Sequence, residues 1–311
     1  MLSHWRADST GNSSSSKIQL QIGDVCCSVT CDDEEVLGNL GQLYFDFLSD
    51  QPVDFSIDLH IVQRFSSHCI AEASSLGNII RSGSNILVAY WLTDNESANQ
   101  NHTVSCTLER HQFNPHFDFK IMNLLLPLSY YEACRTRYSN GCGPMLVHSC
   151  GIIRHGRLMM FSGPSDTGKT TIAKLCGNEH GQVINDEMLL VSGPDKDSDA
   201  LMVQGVPIIG GVAQRLNVSA PLACVLLLKQ SDRTALNRLN RTEAYLQFMR
   251  QVIAPRDFEG RTKRAMLSQV AEFSDMVTNV VPFYELEFTL NQRALWKTIN
   301  KLEKSLGREG S

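Results

Sequence analysis

An eight-residue stretch near the middle of the chain has the sequence Gly163-Pro164-Ser165-Asp166-Thr167-Gly168-Lys169-Thr170. It fits the pattern G-x-x-x-x-G-K-[ST] at every fixed position. The apolar run Arg157–Phe161 before it predicts a strand, and Thr171–Cys176 after it predicts a helix that ends at Gly177. In such a strand, loop and helix, consecutive backbone N–H groups point at phosphate oxygens, and the helix N-terminus adds a favourable field. We therefore expect the residues from Gly163 to Thr171 to bind the phosphates of a nucleotide.

Two side chains of this loop have the chemistry that nucleotide binding needs. Lys169 supplies a point charge for the β- and γ-phosphates, and the Thr170 hydroxyl can ligate Mg²⁺. Asp166 is a departure, because a carboxylate near phosphates is unfavourable unless it points outward or pairs with a cation. The expected cofactors are ATP, or another nucleoside triphosphate, and Mg²⁺.

A second half of the site is predicted downstream, where the apolar run Val183–Asn185 ends in Asp186 and Glu187. A strand-end Asp opposite such a loop usually makes the second protein contact to Mg²⁺. Neighbouring side chains on a strand point to opposite faces, so both acids can serve one site only if the strand has ended and the chain is turning. Thr170 and Asp186 are therefore the candidate metal ligands.

His148 lies upstream, in the apolar strand predicted over Met145–Cys150. We expect this strand to pair with Leu158–Phe161 across a turn at His155-Gly156. A single His on an apolar strand is either a buried, hydrogen-bonded core residue or part of a site, and spacing alone leaves both open.

Together these residues resemble the HPr serine kinase family and its P-loop relatives of the phosphoenolpyruvate-carboxykinase-like fold, over about residues 140–230. In that family a His precedes the P-loop Lys and a pair of Asp residues follows it. The intervals are matched here by His148, twenty-one residues before Lys169, and by Asp186, seventeen residues after it. The resemblance implies that His148 faces the site, that Thr170 and Asp186 hold Mg²⁺, and that the second acid activates a serine hydroxyl. Glu187 stands in that second position and is one methylene longer.

The chain also departs from true HPr kinases, because it lacks their glycine–arginine–asparagine C-terminal signature. Its β-rich N-terminal region and the segment Val206–Gly211 are similar to the shorter HPr-kinase-related proteins, which are often associated with peptide-modification gene sets. HPr itself is therefore not the expected substrate.

The predicted fold class is α/β (α+β), with a β-rich N-terminal region and a P-loop kinase core of the HPr kinase and PEP-carboxykinase-like type. Residues 1–16 are polar and serine-rich and predict a disordered leader. Residues 17–139 predict an N-terminal α+β domain that begins with a hairpin over Ile18–Val29. Residues 140–311 predict the nucleotide-binding domain, which includes a helix over Thr242–Val252, a strand over Val281–Phe288 and a final helix over Gln292–Leu302.

Composition limits the partners of this 311-residue chain. Its net charge of −5 and the lack of clustered Lys and Arg argue against nucleic acid. No run approaches the roughly 18 apolar residues that cross a bilayer, and the N-terminus has no apolar centre like that of a signal peptide. A cytoplasmic protein is expected. Its ten cysteines form no C-x-x-C pair and are expected to be reduced, buried hydrophobic residues.

The leading hypothesis is a Mg²⁺-dependent phosphotransferase that moves the γ-phosphate of ATP to a hydroxyl, with a serine of a peptide, protein or small molecule as the expected acceptor. Glu187, Asp186, His148 and Lys169 are its candidate catalytic residues. One alternative is an ATPase or nucleotide switch, in which Glu187 positions water. Another is a catalytically silent nucleotide-binding module. The resemblance also suggests a homo-oligomer.

Overall fold

The computed structural model of the chain describes residues 16–62, 79–82, 86–93, 102–109, 115–138, 143–194, 200–253 and 260–309. The chain divides into two compact units, which meet in sequence between Arg137 and Tyr138. Both units contain helices and a multi-stranded sheet, so the predicted mixed α/β class is confirmed. The predicted domain limits and the HPr-kinase-like type of the second domain stay predictions. Residues 1–15 of the predicted leader lie outside the described residues.

The described part of the first unit is a mixed sheet with helices. Its elements are β1 (Lys17–Ile22), β2 (Val25–Cys31), α1 (Glu34–Leu43), β3 (Phe55–Val62), β4 (Ile79–Ser82), β5 (Ile86–Thr93), β6 (His102–Glu109) and α2 (Pro115–Arg137). The strand order is β1-β2-β3-β6-β5-β4. β1 and β2 form the predicted antiparallel hairpin, in which Ile22 pairs with Val25. Asp33 precedes α1 and caps it, because its carboxylate accepts hydrogen bonds from the N–H groups of Glu35 and Val36.

The described part of the second unit is built around a larger sheet. Its strands are β7 (Met145–Arg154), β8 (Arg157–Ser162), β9 (Gln182–Asn185), β10 (Met188–Ser192), β11 (Met202–Gly205), β12 (Ser219–Gln230), β13 (Ala235–Arg238) and β14 (Phe283–Phe288). Its helices are α3 (Lys169–Cys176), α4 (Arg241–Phe248), α5 (Gly260–Val280) and α6 (Gln292–Glu309).

Strand pairing in the second unit places β8 in the middle of the sheet. The order is β11-β10-β7-β8-β12-β14-β13, and β9 also pairs with β7 while β11 also pairs with β12. β7 and β8 form the predicted hairpin, β8 runs parallel to β12, and β12 runs parallel to β14. The pairings close a ring of β7, β8, β12, β11 and β10. The residues from Leu158 to Ser162 are all buried, as a central strand requires.

One hydrophobic core joins this sheet to helices α3 and α6. Phe161 of β8, Ile172 of α3, Leu226 of β12 and Trp296 of α6 are buried in it. The indole Nε1 of Trp296 donates a hydrogen bond of 2.7 Å to the carbonyl of Leu175. That carbonyl belongs to the last turn of α3, where no intrahelical donor is available. The core therefore fixes α3, and with it the loop that precedes α3.

The cysteines of the described residues are all free and buried: Cys26, Cys27, Cys31, Cys106, Cys134, Cys150, Cys176 and Cys224. Burial raises the pKa of the Cys106 and Cys224 thiols to about 12. These two thiols are therefore protonated at neutral pH and are poor nucleophiles. Among the helices that the structure describes, none combines the length and the apolar character that crossing a membrane requires.

Candidate nucleotide-binding site

The predicted phosphate-binding loop connects the end of β8 at Ser162 to the start of α3 at Lys169. The Thr167 hydroxyl donates a hydrogen bond of 2.7 Å to the Pro164 carbonyl and closes the loop on itself. Gly168 has a φ of +107°, and a Cβ added there would stand 2.5 Å from the ring carbon Cζ of Phe288. Only glycine satisfies both the backbone angle and the contact. The second glycine of the motif is thus required by packing as well as by its conformation.

The outer residues of the loop face solvent. Pro164, Ser165 and Asp166 are exposed, whereas Thr170 and Thr171 are half-buried. Asp166 has a φ of +65°, which Asp tolerates better than most residues. Its carbonyl accepts a hydrogen bond of 2.9 Å from the Gln230 side chain at the end of β12. The Asp166 residue is therefore held by its backbone, and its exposure removes the predicted conflict with phosphate.

Lys169 is the first residue of α3 and is 6% exposed. Its ammonium Nζ donates to the carbonyls of Gly163, at 2.8 Å, and of Pro164, at 3.0 Å. An ammonium has three protons, so one donor remains for a phosphate oxygen. Burial lowers the pKa of Lys169, and the nearby Glu187 carboxylate opposes that shift. The lysine head is thus fixed over the first residues of the loop.

Asp186 and Glu187 lie between two strands, β9 and β10, that pair one after the other with β7. β9 ends at Asn185 and β10 begins at Met188, and both strands pair with the same edge of β7. Asp186 and Glu187 form the bend between them, and the Ser149 N–H donates a hydrogen bond of 3.2 Å to the Glu187 carbonyl. The strand has therefore ended at the acids, which was the condition for both carboxylates to serve one site.

Asn185 holds this bend and was not among the predicted site residues. It is fully buried, and its side-chain oxygen accepts from the N–H groups of Glu187, at 2.7 Å, and Met188, at 3.0 Å. Its amide nitrogen donates to the carbonyls of Val206, at 3.0 Å, and Ile208, at 2.8 Å. An Asn directly before paired acids at a strand end is the available sequence signal, because Asn side chains stabilise turns of this kind.

The segment between β11 and β12, residues 206–218, folds back onto the bend formed by Asp186 and Glu187; we call the two the glycine segment and the acid bend. Asp186 is 1% exposed, and its carboxylate accepts hydrogen bonds from the N–H groups of Gly211, at 3.1 Å, and Val212, at 3.3 Å. A Cβ on Gly210 would overlap the Asp186 carboxylate oxygen Oδ1. The backbone at Gly210 thus lies closer to Asp186 than it could if residue 210 had a side chain.

Thr170 and Asp186 both approach the same glycine, Gly211. A Cβ on Gly211 would stand 3.0 Å from Thr170 Oγ1 and 3.4 Å from Asp186 Oδ2. A hydroxyl and a carboxylate are oxygen ligands that suit Mg²⁺, which binds few protein groups and completes its shell with phosphates and water. Within the described ranges, no group of three or more His, Cys, Asp or Glu side chains could enclose a metal. The residues present therefore fit Mg²⁺ bound together with a nucleotide.

His148 lies on β7, which pairs with β8 on one edge and with β9 and β10, the strands before and after the acids, on the other. Its Nε2 atom is 3.6 Å from Oε1 of Glu187, which is too long for a hydrogen bond. Burial and the positive charge of Lys169 lower the pKa of His148 to about 4, so the imidazole is neutral at neutral pH. The contact with Glu187 is therefore not an ion pair.

Glu187 keeps 36% of its side chain exposed, while His148 keeps 18%. Burial raises the pKa of Glu187, Lys169 opposes the rise, and Asp186 adds to it. A carboxylate with a raised pKa accepts a proton more readily than an ordinary one. The structure thus brings Lys169, Asp186, Glu187 and His148 together around one edge of the loop.

The second unit matches one family model, that of the ATPase family associated with various cellular activities (AAA), over residues 159–282 of the 311-residue chain. No curated protein matches the chain. The matched residues include the whole loop from Gly163 to Thr171, the acid bend and the glycine segment. The match supports a P-loop family and gives no support to the HPr-kinase-like assignment. The loop from Gly163 to Thr170 and this match together support a P-loop nucleotide-binding core, with ATP and Mg²⁺ as its cofactors.

Proposed function

We propose that this chain is a Mg²⁺-dependent ATPase whose nucleotide state changes its affinity for a partner. The observation that carries the proposal is the bend at Asp186 and Glu187, which sets two carboxylates of different character beside Lys169. Asp186 is buried and bound to two backbone N–H groups, whereas Glu187 is partly exposed and has a raised pKa. The match to an ATPase family over residues 159–282 also favours hydrolysis over transfer to another acceptor.

The proposed mechanism divides the work among the residues of the site. The N–H groups of the loop and the free donor of Lys169 would hold the phosphate chain, while Thr170 and Asp186 would hold Mg²⁺. When bound, Mg²⁺ neutralises negative charge that develops on the transferred phosphoryl group. Glu187 orients a water molecule and accepts its proton. Because the imidazole of His148 stays neutral, it forms no ion pair with Glu187, and the Glu187 carboxylate can act as the base.

Two substitutions test these roles separately. We expect Lys169→Ala to abolish ATP binding, measured with a fluorescent ATP analogue, because the loop loses its only buried ammonium contact to phosphate. We expect Glu187→Gln to bind the analogue as well as the parent but to release phosphate at least about 100-fold more slowly. Glu179 has an exposed carboxylate after α3, so Glu179→Gln is the matched control and is expected to keep full turnover. Full turnover by Glu187→Gln would refute the assigned base.

A second function, phosphotransfer to a hydroxyl, is favoured by the position of His148. β7 pairs with β8 on one edge and with the strands before and after the acids on the other, and His148 Nε2 lies 3.6 Å from Glu187 Oε1. This arrangement agrees with the resemblance to the HPr serine kinase family. Under this proposal Glu187 accepts the proton of a serine or other hydroxyl of a peptide, protein or small molecule. Under either function, we also propose a homo-oligomer and a cytoplasmic location.

The products distinguish the two functions. With ATP labelled at the γ-phosphate, an ATPase releases the label only as free phosphate, whereas a phosphotransferase places it on an acceptor. We expect free phosphate from the purified chain, with the rate reduced by Glu187→Gln. Label that moves to an added peptide or cell-extract fraction, and that Glu187→Gln no longer transfers, would replace hydrolysis by phosphotransfer. Tight binding without any turnover would leave only a silent nucleotide-binding module.

A further inference from the structure

Helix α6 presents a row of positive side chains on its exposed face, a cluster that forms only because the helix brings together residues three and four positions apart in the sequence. Arg293, Lys297, Lys301 and Lys304 are all exposed and follow one another at intervals of four, four and three residues. Residues at these intervals lie on one side of a helix. Together with His180 and Asn300 they line an open cleft above Trp296, and we call this the α6 basic cleft.

These positive charges have no acidic partner among the residues that the structure describes. Cations elsewhere in the second unit do form ion pairs, such as Lys229 with Glu287 at 3.0 Å and Arg241 with Asp275. Like charges three or four residues apart on a helix repel each other and weaken it. The chain as a whole has a net charge of −5, so the excess of positive charge is local to this face. An anionic ligand would relieve the repulsion.

The floor of the cleft is rigid. Trp296 is 2% exposed and lies under the ring of His180, with the ring centroids 4.8 Å apart. The guanidinium of Arg154 lies 5.2 Å from the centre of the Trp296 ring, donates to Asn300 at 2.7 Å and pairs with Glu303 at 3.0 Å. The opposite face of α6 is buried in the core. The positive side chains therefore project from a fixed helix, and binding does not require the backbone to be ordered first.

We propose that the α6 basic cleft binds an acidic polypeptide segment. The positive row extends from Arg293 to Lys304, which is roughly 16 Å of helix, and an extended peptide of about five residues covers the same length. Lysine ammonium groups are mobile point charges that pair with carboxylates without demanding a fixed geometry. A long polyanion such as a nucleic acid would instead meet the net negative charge of the remaining surface.

The cleft is close to the nucleotide-binding site through α3. Both Trp296 and Gln292 donate to the Leu175 carbonyl in the last turn of α3, and Lys169 is the first residue of that helix. α3 has eight residues, which is roughly 12 Å. A polypeptide bound in the cleft would therefore be held about one short helix away from the phosphates. The proposal does not depend on the proposed ATPase, because peptide binding is measured without nucleotide.

The test uses the full chain and a fluorescein-labelled peptide of eight glutamates, with binding followed by fluorescence anisotropy. We expect saturable binding that weakens as salt is added, and no binding of a peptide of eight glutamines. We expect Lys297→Gln/Lys301→Gln to lower the affinity by about tenfold or more. The matched control, Lys229→Gln/Arg241→Gln, removes the same charge from cations that already have acidic partners and should change the affinity less than about twofold.

Three results would overturn the proposal. The first is no saturable binding by the parent chain. The second is an equal loss of affinity in both double variants, which would mean that only the overall charge matters. The third is tighter binding of a single-stranded DNA of equal charge through the same lysines, which would make the face a nucleic-acid surface. Circular dichroism of each variant checks that the helix is intact.

Discussion

Charge and burial determine what each residue of the site can do. Lys169, Glu187 and His148 lie together in a partly buried region, where the charged form of each is disfavoured by the loss of water. The positive Lys169 supports a negative Glu187 and opposes a second positive charge on His148. At neutral pH the imidazole of His148 is therefore neutral, while Lys169 favours the charged form of Glu187.

The lowered pKa of His148 predicts a dependence of stability on pH. The pKa is about 4 in the folded chain and 6.5 ordinarily, so the unfolded chain binds a proton first as the pH falls. His148 therefore has no effect on stability above pH 6.5 and destabilises the fold progressively as the pH falls from 6.5 towards 4. The shift corresponds to about 3 kcal/mol of free energy of unfolding when it is fully developed.

Urea unfolding at about pH 7.5 and about pH 4.5 measures this effect. Between these two pH values, we expect the free energy of unfolding of His148→Gln to fall by about 2–3 kcal/mol less than that of the parent. His155→Asn, in the exposed turn between β7 and β8, is the control and should lose as much as the parent. Equal losses of free energy in the parent and in His148→Gln would show that folding does not lower the pKa of His148.

Among the elements, the acid bend depends on a segment far along the chain. Asn185 binds the bend through its oxygen and the 206–218 segment through its nitrogen, so one side chain connects the bend to the segment that binds Asp186. Asp186 in turn accepts from the N–H groups of Gly211 and Val212. The bend and the segment are thus connected twice, once through the neutral amide and once through the carboxylate.

We expect Asn185→Ala to impair turnover more than nucleotide binding. The substitution leaves four backbone groups without their partner, which should cost about 3 kcal/mol of free energy of unfolding. Because the loop from Gly163 to Thr171 does not contact Asn185 in any of the hydrogen bonds described above, KM for ATP should change less than about threefold. The displaced acids should lower kcat by at least about tenfold.

The control for this prediction is Asn217→Ala. Asn217 lies in the same segment and accepts a hydrogen bond of 2.7 Å from Gln204, and none of the hydrogen bonds of the bend involves its side chain. We expect a loss of stability without a change in kcat. If Asn185→Ala also keeps its kcat once it is assayed well below its melting temperature, the amide has a purely structural role.

The elements of the site differ in how far the sequence predicts them. The fixed positions from Gly163 to Thr170 predict the strand, loop and helix because local backbone chemistry determines all three. β10, β11 and β13 were not predicted, since strands of four or five residues carry too little alternation to stand out. The helix predicted over Thr242–Val252 ends at Phe248 and continues as a short 3-10 turn. The contact of Gly210 with Asp186 depends on tertiary packing, which spacing cannot reveal.

At the scale of the whole molecule, the predicted site lies entirely in the second unit. His148, the loop, the acid bend and the glycine segment all follow Tyr138, where that unit begins. The core that fixes α3 also comes from β7, β8, β12, β14 and α6 of the same unit. Nucleotide binding should therefore need no residue of the first unit.

We accordingly expect the fragment Tyr138–Ser311 to fold alone and to bind a fluorescent ATP analogue within about threefold of the affinity of the full chain. A unit with its own buried core and its own complete hydrogen-bonded site has the properties of an independent domain. Thermal unfolding of the fragment should be a single transition that shifts upward when Mg²⁺ and ATP are added, because ligands that bind only the folded state stabilise it. Lys169→Ala in the fragment should abolish that shift. A folded fragment that binds the analogue much more weakly than the full chain would mean that the first unit contributes to the site.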